Sequence, residues 1–227
     1  MTLSAVIGDI LPQAVAVAIS PVPIIAVILM LFSAEARSNG LAFAAGWVVA
    51  LTVVGSAVLW AANAGHVSAG GTPTAAACAI KALIGLAFLA LAVRQWRSRP
   101  AEGEEPAMPK WMSAIDSFGA GKAFGIAALL AGANPKNLGL TISAALAIAQ
   151  AGLPGSQSWV ALGIFVVIGS VTVVAPVLYY VAAGDSAAKA LNVWKAWLAA
   201  NNATVMAVLF LALGAKLLGD GLGGLLG

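Results

Sequence analysis

Six long runs of apolar residues, separated by short polar stretches, dominate the pattern of the chain. They cover residues 10–33, 41–62, 75–94, 122–150, 159–183 and 203–219. A helix needs about 20 apolar residues to cross the hydrocarbon core of a bilayer. Because a spanning backbone must satisfy its own hydrogen bonds, and because the runs do not alternate with a period of two, the pattern predicts six transmembrane α-helices. The last run spans only if Ala199 or Leu222 extends it.

The composition supports this prediction. Of the 227 residues, 62% are hydrophobic and 8% are charged, and the mean hydropathy is +1.01. A soluble domain of this size could not bury so much apolar surface, so lipid is expected to be the solvent for most of the chain. The first run follows Asp9 and lacks the basic start of a cleaved signal peptide, so we expect it to be a retained span.

Eight of the 11 basic residues lie in alternate connections, which predicts an orientation. With the N-terminus outside, the connections 63–74 and 151–158 are external and contain no Lys or Arg. Lys81 and Lys216, near outer helix ends, count weakly against this assignment. The positive-inside tendency nevertheless predicts a multi-pass protein of a bacterial inner membrane with both termini outside, and it explains the net charge of +3 without nucleic acid. The internal connections hold eight basic residues: Arg37, Arg94, Arg97, Arg99, Lys110, Lys122, Lys189 and Lys195.

The two halves of the chain resemble each other. The letters FLAL begin at Phe88 and again at Phe210, an offset of 122 residues, and GWVVA at Gly46 resembles GIFVV at Gly163. Three spans per half force the copies into opposite orientations, the inverted-repeat plan of many transporters. We predict a first three-helix repeat at 1–94, a cytoplasmic linker with an interfacial helix at 95–121, and a second repeat at 122–227.

Two inner connections show apolar residues at helical spacing. One pattern begins after Pro109 and places Trp111, Ile115 and Phe118 on one face. The other lies within 186–199 and groups Leu191, Trp194, Trp197 and Leu198. Both patterns predict helices lying in the inner membrane interface.

Two proline motifs interrupt the first apolar run of each half. They are Ser20-Pro21-Val22-Pro23 and Asn134-Pro135-Lys136-Asn137. Proline has no backbone N–H, so the carbonyls of Val17, Ile19 and Ala131 lose their helical partners. A proline kink packed within a bundle is one interpretation. Paired breaks at corresponding positions instead predict broken first and fourth helices around a transport site.

Lys136 is the most informative residue of these motifs. An ammonium near the centre of a span costs roughly 2.5–3.5 kcal/mol on the insertion scale, and Asp and Glu occur only at the ends of runs or in connections. Freed carbonyls, water or an anionic ligand would have to compensate it. In the alternative, the run is re-entrant or begins later, and Lys136 extends to the interface.

The residue types outside the two proline motifs argue against several classes of function. Cys78 and His66 are single, and the sequence contains no nucleophile elbow or P-loop, so we expect neither an enzyme nor a metal or cofactor site. The lack of intramembrane carboxylates disfavours a proton-driven cation pump. Several hydroxyls could line a path but more often bond across helices: Ser20, Thr52, Ser56, Thr141, Ser143, Ser170 and Thr172.

The stretches SPVPIIAVILMLFS, FAAGWVVAL and ANPKNLGLTISAALAIAQAG resemble the GAP-type family of peptidoglycolipid or sulfolipid addressing proteins, within the lysine-exporter (LysE) superfamily. The resemblance covers nearly the whole chain. It implies six helices in inverted repeats and the movement of cell-envelope glycolipids across the inner membrane of mycobacteria or their relatives. Its motif positions correspond to Pro21, Pro23, Asn134, Pro135, Lys136 and Asn137. The missing intramembrane acid puts amino-acid or metal export in doubt.

We therefore expect a translocator, or an export component, for an anionic or glycosylated lipid. Its predicted substrate-binding residues are Ser20, Pro21, Pro23, Asn134, Pro135, Lys136 and Asn137. The expected partners are membrane lipids and other envelope-lipid export proteins, and a homo-oligomer is left open. A small-solute exporter of the LysE superfamily would have an enclosed watery cavity, whereas a lipid translocator needs a laterally open groove. A non-transporting scaffold would depend on Trp111 and Trp194 instead of Lys136.

Overall fold

The computed structural model describes residues 1–64, 75–99 and 110–226, and these residues are helical throughout apart from short connections. Short 3-10 helices occupy Lys110–Ser117 and Gly184–Ala187. The α-helices of the described residues are α1 (Leu3–Ala18), α2 (Pro21–Met30), α3 (Ala36–Ala64), α4 (Ala75–Arg97), α5 (Ala120–Gly132), α6 (Pro135–Gln150), α7 (Gly155–Ala183) and α8 (Ala188–Leu226).

The first and fourth apolar runs are broken at their proline motifs, as predicted. Helix α1 ends at Ala18 and α2 begins at Pro21, with a bend of 51° between them. Helix α5 ends at Gly132 and α6 begins at Pro135. In both motifs a proline occupies the first turn of the following helix, where its missing N–H would have no helical partner in any case.

Several helices are long and apolar enough to cross a membrane. Within the described residues, three meet this test alone: Ala36–Ala62, Gly155–Ala183 and Ala188–Leu226. The bent pair α1 and α2 raises the number to four if it forms one span. The chain is therefore an all-helical membrane protein, while six spans in two inverted repeats stay a prediction.

Helix α8 differs from the prediction of a separate interfacial helix followed by a sixth span. Residues 188–226 form one continuous helix of 39 residues. The junction contains Asn201 and Asn202 but no proline or glycine, so nothing local ends the helix there. In the other connection, Ile115 is buried within the 3-10 helix, whereas Pro109 and most of the charged linker lie outside the described residues.

The chain divides into two compact units, and each predicted half contributes to both. Unit 1 consists of Met1–Gly70 and Met108–Leu198, and unit 2 of Gly71–Ala107 and Ala199–Gly227. The predicted repeats, 1–94 and 122–227, divide the chain differently from these units, and they stay a prediction.

In unit 1, α3 packs against α5, α6 and α7, and α1 packs against α6 and α7. Phe43, Trp47 and Phe165 are fully buried in this core. The indole Nε1 of Trp47 donates to the carbonyl of Gly169 at 3.2 Å. Because an unpaired buried N–H is costly, this bond fixes how α3 and α7 meet.

Unit 2 contains α4 and the C-terminal part of α8. A Cβ added to Gly85 would lie 2.9 Å from the carbonyl oxygen of Gly214, so the two backbones approach closely here. The rings of Phe88 and Phe210, which the sequence comparison matched, are 5.3 Å apart. Equivalent residues meet at the axis of a two-fold arrangement, so this contact is compatible with the predicted repeat.

The packing of α3 on α5 yields a first prediction. A Cβ on Gly46 would collide with the backbone carbonyl of Phe124, which cannot move aside as a side chain would. We expect Gly46→Val to lower the free energy of unfolding in detergent by about 1–3 kcal/mol. Gly163→Val on α7 is the control, because a Cβ there has open space. Equal stability of the two variants in thermal unfolding would contradict this packing.

Candidate functional site

The break between α1 and α2 leaves several carbonyls without helical partners, and side chains bind them. The hydroxyl of Ser20 lies 2.7 Å from the Val17 carbonyl, and the hydroxyl of Thr172 donates to the Ala18 carbonyl. These oxygens lie at the C-terminal end of α1, where the aligned peptide dipoles concentrate partial negative charge. The end of the broken helix is therefore a site that favours a cation.

Lys136 supplies that cation from the start of α6. Its Nζ donates to the carbonyls of Ala16 at 2.8 Å and Ile19 at 3.2 Å and to the hydroxyl of Ser20 at 2.6 Å. An ammonium has three protons, so the protein itself satisfies this one. The residue is only 6% exposed, so its side chain is buried among protein groups. Its depth in the membrane stays a prediction. The carbonyls freed by the break, together with the Ser20 hydroxyl, thus offset the cost of burying the ammonium.

The asparagines of the second motif complete the arrangement. Asn137 is fully buried; its Oδ1 lies 3.1 Å from the Ser20 hydroxyl and its Nδ2 donates to the Leu130 carbonyl at 2.9 Å. Asn134 accepts from the backbone N–H of Lys136 at 3.0 Å and so caps α6. We call Ser20, Lys136 and Asn137, with the C-terminal carbonyls of α1, the broken-helix centre.

The predicted site residues thus divide into two kinds. The side chains of Lys136 and Asn137 both bind the hydroxyl of Ser20. The predicted prolines, Pro21, Pro23 and Pro135, instead form the first turns after the breaks, and the described contacts give them no polar role. At the second break, the carbonyl that accepts a side chain is that of Leu130 and not that of Ala131, because the Asn137 amide points one residue earlier.

An apolar groove lies beside this centre, between α2, α7 and the first turns of α8. It is partly open, has a volume of about 460 Å³ and is lined mainly by apolar side chains. The indoles of Trp194 and Trp197 are 46% and 57% exposed. We call it the tryptophan groove; its walls are Ile24, Val171, Thr172, Ala175, Pro176, Val193, Trp194, Trp197 and Leu198.

Thr172 connects the tryptophan groove to the broken-helix centre. It forms part of the groove wall, and its hydroxyl donates to the Ala18 carbonyl, two residues before Ser20. A second open apolar groove of about 330 Å³, which we call the valine groove, lies between α3 and α7 and shares Val171 and Ala175 with the first. The sequence predicts Thr172 only as one of several hydroxyls that could line a path or bond across helices, because nothing local shows that α7 meets the break.

The bond between Ser20 and Lys136 yields a second prediction. In a double-mutant cycle of Ser20→Ala and Lys136→Met, we expect a coupling free energy of about 1–3 kcal/mol, since each partner satisfies the other in a buried place. Unfolding in detergent measures it. The control cycle replaces Lys136→Met by Lys122→Met, because Lys122 is exposed on α5. Coupling as small in the first cycle as in the control would contradict the direct bond.

Comparison with known proteins gives a family match over most of the chain. The family described as "Sap, sulfolipid-1-addressing protein" matches residues 10–223, which include both proline motifs and the walls of the groove. Comparison with curated proteins and with solved structures gives no significant match. The wider LysE superfamily stays a prediction. The chain belongs to the sulfolipid-1-addressing protein family.

Proposed function

We propose that this membrane protein is a translocator, or an export component, for an anionic or glycosylated cell-envelope lipid in a bacterial inner membrane. The observation that carries the proposal is the tryptophan groove: it is apolar and open, and its wall residue Thr172 binds the end of α1 whose neighbouring carbonyls hold the buried cation Lys136. An amphiphile has the same two parts, a hydrocarbon chain and a polar head. The family description, which names a sulfolipid, supports an anionic head group.

The character of the grooves favours a lipid over a small polar solute. Both grooves are open and almost wholly apolar, whereas a path for an amino acid or a cation would need polar walls within an enclosed cavity. Each methylene buried in such a groove contributes about 0.8 kcal/mol when it leaves water. From the bilayer this gain is small, so the groove guides a chain that is already in hydrocarbon and does not extract it.

The ammonium of Lys136 can then bind either the protein or a lipid head group, but not both at once. In the structure all three protons of Lys136 are bound by acceptors of α1 and by Ser20. A sulfate, phosphate or carboxylate is a stronger acceptor than a carbonyl, so a lipid head group can replace these contacts. That exchange would release α1 from α6 and thus couple head-group binding to movement of the two helix pairs. Rocking of one predicted half against the other would then alternate the exposure of the site.

The proposal predicts which substitutions stop lipid movement. With the full chain in vesicles containing a fluorescent anionic glycolipid, we expect Lys136→Ala to slow transfer between leaflets about tenfold or more, because a charged hydrogen bond to the head group is lost. Ala175→Phe should also slow transfer, because it fills the wall shared by both grooves. The fluorescence accessible to a membrane-impermeant quencher measures the rate.

Two controls separate this effect from misfolding. Val160→Phe adds the same ring to an exposed position of α7 outside both grooves and should leave the rate unchanged. Lys136→Arg keeps the charge and should retain part of the rate. Unchanged transfer with both Lys136→Ala and Ala175→Phe would overturn the proposal. If Trp194→Asp then abolished lipid export in cells, the scaffold alternative would replace it.

A further inference from the structure

One end of unit 1 is held together by a buried asparagine. Asn39, near the start of α3, has no exposed surface. Its Nδ2 donates to the Ser33 hydroxyl at 2.9 Å and to the Phe118 carbonyl at 2.7 Å. The residues after α2 and the residues before α5 therefore meet at the same place, although 79 residues separate Asn39 from Phe118 in the chain.

Two lysines lie on phenylalanine rings at this end. The Nζ of Lys195 is 5.4 Å from the ring centroid of Phe32, and the Nζ of Lys122 is 5.6 Å from that of Phe118. The electron-rich face of a ring holds an ammonium in position without neutralising its charge. Neither lysine has a carboxylate partner among the described contacts. The described contacts thus place two positively charged ammonium groups at this end.

The connections at this end carry more positive than negative charge. Residues 32–39, 110–122 and 184–195 contain five basic side chains and three acidic ones. The acidic residues are Glu35, Asp116 and Asp185, and the basic ones are Arg37, Lys110, Lys122, Lys189 and Lys195. The positive-inside tendency assigns this end to the cytoplasmic leaflet, where anionic lipids are attracted to such charges.

The tryptophan groove begins beside one of these lysines. Lys195 lies in α8 between Trp194 and Trp197, which form part of the groove wall. The ring of Tyr179 packs 6.2 Å from that of Trp194 and extends the aromatic surface. Tryptophan and tyrosine prefer the boundary between head groups and hydrocarbon. A chain in the groove would thus bring its head group to the level of Lys195.

We propose that this end of unit 1 is a binding site for an anionic lipid of the cytoplasmic leaflet, with its head group at Lys195 and Lys122 and one hydrocarbon chain in the tryptophan groove. The role of this site as the loading position for the broken-helix centre rests on the proposed function; the binding itself does not. A free anion would use the same lysines but would gain nothing from the groove.

The test measures binding of a fluorescent phosphatidylglycerol to the full chain in detergent, with phosphatidylcholine carrying the same label as the neutral probe. We expect Lys195→Gln and Lys122→Gln each to weaken binding of the anionic probe about fivefold and to leave binding of the neutral probe unchanged. Lys189→Gln is the matched control, because Lys189 is an exposed lysine of the same helix without an aromatic ring against it among the described residues. It should leave both probes unchanged.

The groove has its own pair of variants. Ala175→Phe alters a residue of the tryptophan groove and should weaken binding of both probes. Val174→Phe alters a residue that lines only the valine groove and should leave binding of both probes unchanged. Equal losses for Lys189→Gln and Lys195→Gln would overturn the site in favour of diffuse charge. Displacement of the anionic probe by inorganic sulfate, compared with chloride at the same ionic strength, together with no effect of Ala175→Phe, would overturn it in favour of a free-anion site.

Binding and transport can fail separately. If Lys195→Gln weakens binding but the unaltered chain moves no lipid in vesicles, the binding site stands and the proposed function fails. If the unaltered chain moves lipid and Lys195→Gln neither binds less nor transports less, the loading site fails and the proposed function stands.

Discussion

The need to satisfy backbone carbonyls at a broken helix underlies the rest of this structure. In hydrocarbon, water does not hydrate an exposed carbonyl, and each unpaired one is costly. Prolines after Ser20 leave the end of α1 with several such groups. Lys136, Ser20 and Thr172 bind four of them, those of Ala16, Val17, Ala18 and Ile19. The break and its partners must therefore be present together, and this ties α1 to α6 and α7.

This arrangement also changes the meaning of the buried lysine. A free ammonium would be an open anion site, but here three protein acceptors surround it. Its charge stabilises the packing of two broken helices, and in the proposed function an anionic head group would have to displace these contacts to bind. A cation shared between protein and ligand can link binding to movement, since each use excludes the other. The tryptophan groove supplies the apolar path beside it.

The open apolar grooves connect the fold to the proposed function. In that proposal, such a groove lets the chains of a lipid remain in hydrocarbon while the head group moves, which agrees with the sulfolipid named in the family description. The basic end of unit 1, with Lys195 beside Trp194 and Trp197, provides charge where such a head group begins. In this proposal, the head group meets Lys195 beside the tryptophan groove and then the broken-helix centre.

The sequence by itself indicated the membrane character, the approximate positions of most helices and both breaks, because apolar length and the missing N–H of proline act locally. It also identified Ser20, Lys136 and Asn137. Only the tertiary structure decided their partners. Lys136 binds carbonyls 117 and 120 residues away, and local patterns carry no information on which distant segments meet. For the same reason the role of Thr172 and the grooves could not be predicted; they depend on how α2, α7 and α8 pack.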